Sequence, residues 1–134
     1  MEMMHIMTRH PETIEPNDTL AKAKQMFDAG GFRRLPVVSD GEVVGILTER
    51  SLREHSGYLN STKVNIAMST PVVSVAPSTT VQDATRLMLK HKIAGLPVMD
   101  GGKLVGIVTT TDVLKAFLQV VEAEEARRHT SARS

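Results

Sequence analysis

The densest run of hydrogen-bonding side chains in this 134-residue chain is Thr109-Thr110-Thr111-Asp112, directly after the apolar stretch Leu104-Val105-Gly106-Ile107-Val108. Hydroxyls and a carboxylate, placed where a strand gives way to a helix, are groups able to hydrogen-bond a polar small molecule. A carboxylate accepts two hydrogen bonds from a cis-diol. Hydroxyls and backbone N–H groups at a helix start favour phosphate oxygens. The same residue types cap helices routinely, so Thr109 and Asp112 also have a purely local role open to them. A related run, Thr48-Glu49-Arg50-Ser51, follows Val43-Val44-Gly45-Ile46-Leu47. There Ser51 stands where Asp112 does, with one hydroxyl and a shorter reach. Arg33 and Arg34 are adjacent cations. Such charges ordinarily sit in solvent, but beside a cleft they would serve a phosphate.

Other chemistries find little support. His5, His10, His55, His91 and His129 are scattered, with no pair four residues apart and no His-Glu-x-x-His, so no metal is expected. There is no Gly-x-Ser-x-Gly, P-loop or dinucleotide fingerprint. No nucleophile, base and orienting group assemble by the usual criteria, and the chain reads as a non-enzyme. The absence of cysteine excludes disulfides and thiolate metal sites and favours a reducing cytoplasm. Aromatics make up 3% of residues, too few for a platform that stacks single-stranded nucleic acid. The net charge is +1 with both signs interspersed, so no nucleic-acid partner is expected. No apolar run approaches the ~20 residues of a membrane span, and direct membrane insertion is not expected. Met1-Glu2-Met3-Met4-His5 lacks the basic-then-apolar pattern of a secretion signal.

The elements that must position these groups are legible from an internal repeat. Shifted by about 61 residues, the chain falls on itself: Met7 on Met68, Pro16 on Pro77, Thr19 on Thr80 and Ala23 on Ala84. Leu35-Pro36-Val37 falls on Leu96-Pro97-Val98, Gly41 on Gly102, and Val44-Gly45-Ile46 on Val105-Gly106-Ile107. No gap is needed between residues 7 and 55. Each copy predicts a short extended piece (Glu12 to Glu15; Val72 to Ala76) and then a helix. The apolar positions Leu20, Ala23, Met26 and Phe27, and Val81, Ala84, Leu87 and Met88, share one helical face. Asn17-Asp18-Thr19 and Ser78-Thr79-Thr80 supply N-caps, with Thr79 and Gln82 spaced for a capping box. Gly30-Gly31 ends the first helix. Two strands follow, joined at Ser39-Asp40-Gly41-Glu42 and at Asp100-Gly101-Gly102-Lys103 in hairpins. A second helix closes each copy, near Glu49 to Glu54 and from Thr111 onward. Residues 55 to 67 read as a linker. Each β-α-β-β-α unit is too small to bury its own sheet. An α+β (α/β) fold is therefore expected, with two units packed sheet to sheet in pseudo-twofold symmetry. The boundaries are 1–62, 63–120, and a helix end with a frayed tail at 121–134.

Leu-Pro-Val-Val, Asp-Gly and Val-Val-Gly-Ile-Leu-Thr, followed by Leu-Pro-Val-Met-Asp and Leu-Val-Gly-Ile-Val-Thr-Thr-Thr-Asp, resemble the CBS domain. The resemblance covers residues 7 to 55 and 68 to 118, in the manner of stand-alone two-repeat (Bateman module) proteins of the acetoin-utilisation type. It implies a regulatory module that binds an adenosine-containing ligand, such as AMP, ADP, ATP, NAD or S-adenosylmethionine, in clefts between the repeats. It also implies a homodimer and an unidentified regulated protein. In the matching positions Asp112 would take the ribose, Thr109 and Thr111 the phosphate, and Phe32 and Ile107 the adenine, with Thr13 and Arg33 completing the wall. A second, weaker cleft would use Arg34, Ile46, Thr48, Arg50, Ser51, Ser74 and Ile93. Ser51 replaces the ribose carboxylate there, and Gly95 stands in repeat 2 where repeat 1 has Arg34. One good site and one altered or empty site are expected. The alternative is a ligand-free interaction scaffold.

From Asp112 onward, Val113, Leu114, Phe117, Leu118 and Val121 make a stripe wider than one short helix needs. Glu124 is spaced to pair with Arg128. Part of the stripe would meet a second copy, and His129 to Ser134 are expected to fray.

Overall fold

The computed structural model describes residues 1–133, with side chains described through residue 130. The elements in chain order are α1 (Met3–Ile6), β1 (Thr8–Arg9), α2 (Leu20–Gly30), β2 (Arg34–Ser39), β3 (Glu42–Thr48), α3 (Glu49–Arg53), α4 (Val64–Ala67), α5 (Val81–His91), β4 (Gly95–Asp100), β5 (Lys103–Thr109) and α6 (Thr110–Arg133). β2 and β3 form one antiparallel sheet; β1, β5 and β4 form the other.

The two hairpins are superimposable in register. Pro36 faces Ile46 and Pro97 faces Ile107, and each has a bulge one residue later. Their tips need positive φ at both central residues, the requirement of a type I′ turn. Asp40 and Gly41 (51° and 81°) and Gly101 and Gly102 (57° and 82°) meet it.

Thr19 and Thr80 cap the long helices with their hydroxyls, accepting from the backbone N–H of Lys22 and Asp83. The expected capping box at Thr79 and Gln82 does not form. The Thr79 hydroxyl instead accepts the Ala76 N–H (2.9 Å), closing the turn before the helix and leaving the cap to the next threonine. Helix α2 ends in a left-handed Gly31, as expected, and α5 ends likewise at Lys92. The extended pieces at 12–15 and 72–76 pair at single points only, Ile14 parallel to Val37 and Val75 parallel to Val98. Pro16 and Pro77 follow directly and cannot donate to a longer ladder. Helix α6 runs from Thr110 to Arg133. Glu124 there accepts from both Arg127 and Arg128.

Each repeat has its own core. One holds Leu20, Ala23, Phe27, Leu35, Val37, Leu47 and Leu52; the other holds Ala84, Met88, Leu96, Val98 and Val108. The five of the second core match Ala23, Phe27, Leu35, Val37 and Leu47 under the repeat shift, while the counterparts of Leu20 and Leu52, Val81 and Val113, pack partly buried against the second core. The segments before them are exchanged. Met3 of α1 is fully buried in the core of repeat 2, and Val64 of α4 in the core of repeat 1. Backbone bonds hold both: Met3 N–H to Thr79 O and Met4 N–H to Pro77 O on one side, Val64 N–H to Asp18 O and Asn65 N–H to Pro16 O on the other. Residues 55–67 are thus more than a linker, because α4 docks on the preceding repeat. β1 extends the exchange by pairing with β5, Thr8 opposite Ile107. Gly45 and Gly106 permit it. A Cβ at Gly45 would lie 2.5 Å from Met68 Sδ, and one at Gly106 2.6 Å from Met7 Sδ and 2.9 Å from Thr8 O.

Candidate ligand-binding cleft

A cleft of about 570 Å³ opens where three pieces of chain converge. The lead-in after β1 supplies Thr8, His10, Pro11 and Glu12. The turn from α2 into β2 supplies Gly31, Phe32, Arg33 and Arg34. The junction of β5 and α6 supplies Ile107, Thr109, Thr110 and Thr111, with Ala94 beside it. The strand-to-helix junction is tied down through Ala94 O, which accepts from Thr110 N (2.9 Å) and Thr110 Oγ1 (3.3 Å). The Phe32 ring lies over Gly30 and meets Phe27 edge-on, 5.8 Å between centroids. That contact fixes one apolar wall of the cleft. A smaller hollow of about 320 Å³ adjoins it, sharing Glu12 and Phe32 and lined also by Met26, Ala29 and Gly30.

Five residues of the first sequence-derived set line this cleft together: Phe32, Arg33, Ile107, Thr109 and Thr111. Thr13 and Asp112 do not line it. Thr13 is exposed, in the segment that turns to pair Ile14 with Val37. Asp112 is half-buried and engaged locally: its Oδ2 accepts from Thr109 N–H (2.8 Å) and from Thr109 Oγ1 (3.1 Å). The cap is reciprocated, Asp112 N–H reaching Thr109 Oγ1 at 3.4 Å. The local role is therefore real. The second carboxylate oxygen, Oδ1, makes no hydrogen bond among the described residues.

Of the second set, Arg34 alone lines this cleft, on the side opposite to the one expected. Its half-buried side chain lies across Gly95, where a Cβ would fall 2.6 Å from Arg34 Cδ. Burial first, and then the neighbouring Arg33 charge, hold the Arg34 guanidinium below its ordinary pKa. The rest of that set sits apart from the cleft. Thr48 and Ser51 share a 3.1 Å hydroxyl contact, and Thr48 Oγ1 accepts the Ser51 N–H, so both serve the cap of α3. Ile93 packs against the core of repeat 2, Ile46 bridges Ser69, and Arg50 and Ser74 are exposed.

Sequence reasoning missed Thr8, His10, Pro11 and Glu12. Met3-to-Thr8 and Val64-to-Ser69 form matching helix-and-bridge segments, so the repeat continues upstream of Met7, but that match does not place His10, Pro11 or Glu12 in the cleft.

Among the described residues there is no group of three metal-ligating side chains, and no helix is long and apolar enough to cross a membrane.

Known proteins place this geometry. The family model described as the CBS domain matches residues 3–58 and again 63–119. The CBS domain-containing protein YhcV of Bacillus subtilis is 36% identical over 110 residues, covering 80% of this chain and 79% of that protein. Inosine-5'-monophosphate dehydrogenase of Korarchaeum cryptofilum is 33% identical over 102 residues, which cover 75% of this chain but only 21% of the enzyme. Among solved structures, an acetoin utilization protein (AcuB) from Vibrio cholerae is similar, with TM-score 0.78 and 34% identity over 94% of this chain and 96% of that one. CBSX2 in complex with AMP gives a TM-score of 0.76 at 26% identity, covering 89% and 97%. The CBS domain pair of MJ0100, in complex with 5'-methylthioadenosine and S-adenosyl-L-methionine, gives 0.80 at 26% identity, covering 87% and 95%. Two matched repeats, a shared pair of sheets and these relatives together show that the chain belongs to the CBS-domain family, as a tandem pair.

Proposed function

We propose that this protein is a non-catalytic regulatory module that binds one adenosine-containing ligand in the cleft between its repeats. The observation that carries the reading is the convergence of Phe32, Arg33, Ile107, Thr109 and Thr111 on one cavity. Two apolar side chains there suit a purine, and hydroxyls with guanidinium groups suit a phosphorylated sugar. Solved relatives of the same architecture bind AMP, 5'-methylthioadenosine and S-adenosylmethionine. Asp112, beside the cleft through its bonds to Thr109, is the ribose acceptor in this reading. Only the cleft beside Asp112 is expected to be occupied, because Ser51 is committed to Thr48 on the other side.

The ligand would act on the relative placement of the repeats, which the exchanged α1 and α4 tie together. A partner protein that prefers one placement would then read ligand concentration. The module works in the cytoplasm in this reading.

The test is thermal unfolding of the pure protein against AMP, ADP, ATP, NAD, 5'-methylthioadenosine and S-adenosylmethionine. Ligand at 100 times its dissociation constant stabilises by about 2.7 kcal/mol, a shift of several degrees at this size. A flat panel, with co-purified ligand ruled out by mass spectrometry of the denatured protein, would sink the reading and favour a scaffold that binds protein alone.

The module is also proposed to dimerise through α6. Leu114, Phe117 and Leu118 share a face and remain 60%, 63% and 54% exposed in the single chain. An unpaired apolar face of this kind marks an interaction surface. Sedimentation equilibrium should show a dimer, and Phe117→Glu should return it to monomer. A wild-type monomer at high concentration would refute this.

A further inference from the structure

The smaller hollow beside the cleft has no role in the function proposed above. Its volume of about 320 Å³ falls at the lower end of the range for small-molecule pockets. Met26, Ala29 and Gly30, from the last turns of α2, line it together with Phe32 and Glu12. Phe32 and Glu12 also line the main cleft, so the two spaces meet at these side chains. Thr109, Thr110 and Thr111 line the cleft alone, which puts the hollow on the Phe32 side, away from the hydroxyls. The hollow is peculiar to repeat 1. Under the repeat shift Glu12, Met26, Ala29, Gly30 and Phe32 fall on Val73, Leu87, Lys90, His91 and Ile93. Lys90 and His91 put long side chains where repeat 1 has a methyl group and a hydrogen. The Phe32 ring depends on that hydrogen, since a Cβ at Gly30 would collide with its Cε1 edge. Glu12 is the one charged side chain of the hollow, and its exposed carboxylate joins none of the ion pairs among the described residues.

Resting on the adenosine reading above, we propose that this hollow is a subsite for an apolar substituent on the 6-amino group of the purine, with Glu12 accepting the remaining N–H, so that the module takes N6-substituted adenylates. A purine stacked on Phe32 presents an edge to the space that the ring borders. Its 6-amino group carries a pair of N–H donors. One donates to the Glu12 carboxylate, which in its ionised form only accepts. The other position can carry a carbon substituent, which meets the Met26 thioether, the Ala29 methyl and the Phe32 ring. Removing that apolar surface from water favours binding. Met26 is unbranched and adapts to the shape of what enters. A doubly substituted amine has no N–H left for Glu12 and loses that contact. Val73, at the matching place in repeat 2, has no acceptor to offer.

The test is isothermal calorimetry with AMP, N6-benzyl-AMP and N6,N6-dimethyl-AMP on wild type, Ala29→Leu and Glu12→Ala. Ala29 is exposed on α2 and leucine is a good helix former, so Ala29→Leu fills the hollow and leaves the core alone. Wild type should bind N6-benzyl-AMP about 3- to 10-fold more tightly than AMP, from the apolar area that the benzyl group buries. Ala29→Leu should cut that ratio by about 10-fold. Wild type should bind N6,N6-dimethyl-AMP about 10-fold more weakly than AMP, a difference that Glu12→Ala abolishes. Wild-type binding of N6-benzyl-AMP no tighter than that of AMP would overturn the subsite while leaving the adenosine cleft standing. A benzyl-to-AMP ratio unchanged in Ala29→Leu would overturn it equally. A dimethyl penalty kept in Glu12→Ala would overturn the role of Glu12. Should Ala29→Leu unfold, Ala29→Met decides the matter by the same criterion. Failure of AMP and of both derivatives to bind would overturn both this inference and the function it rests on.

Discussion

Replacing Met3 by alanine should lower the free energy of unfolding by about 2–5 kcal/mol, the range for truncating a buried methionine. By position Met3 belongs to the lead-in of repeat 1. In the fold its side chain is fully buried in the core of repeat 2, beside Val75, Ala84 and Leu96. The loss combines the transfer of that side chain to water with the cavity left behind. Urea titration followed by circular dichroism reads it as a lower midpoint at unchanged slope. Met4, one residue on and 36% exposed, is the control, with an expected change within about 0.5 kcal/mol. A Met3→Ala effect no larger than that of Met4→Ala would mean that the lead-in does not dock on the second repeat.

The second large effect falls on Asp112, which caps α6 in the structure and takes the ribose in the proposed function. Its Oδ2 closes the cap of α6 on Thr109. Its Oδ1 makes no hydrogen bond among the described residues and is the atom that the proposed function assigns to the ribose. Asp112→Ala should therefore cost about 1 kcal/mol of stability from the lost cap, a few degrees at this size. It should also weaken AMP binding by about 100-fold if two charged hydrogen bonds to the diol are lost. Asp112→Asn separates the duties. Its amide oxygen still accepts from Thr109, so stability should largely return, whereas binding should stay at least about 10-fold weaker without the carboxylate charge. Full AMP affinity in Asp112→Ala, measured by calorimetry, would reduce this residue to a helix cap and move the diol to another acceptor.

These experiments depend on features of unequal legibility. The hairpins were readable because their turns demand Asp-Gly or Gly-Gly and their strands alternate around a fixed Pro and Gly. The core was readable because helical and strand periodicities repeat at one offset. The cap of α5 was misplaced by one residue because Thr79 and Thr80 are chemically equivalent. Only the turn that uses the Thr79 hydroxyl separates them. The helices at 3–6 and 64–67 are not legible in the sequence because α1 and α4 are each four residues long, too short to show a period. Isolated helices of that length are unstable, and they form here by docking on a core that already exists.

The sequence by itself determined the duplication, the order of elements within each copy, the apolar faces and the chemical types gathered at Thr109 to Asp112. All of these are local or periodic, so spacing alone carries them. Tertiary structure alone decided that the leading segments cross to the opposite repeat, that His10 and Glu12 join the cleft, and that Arg34 lies over Gly95. Those outcomes depend on distances between residues far apart in the chain, such as Val64 and Asp18, Met3 and Thr79, Arg34 and Gly95, or His10 and Ile107. Such distances follow from how two near-identical surfaces pack, and no pattern within either surface encodes them.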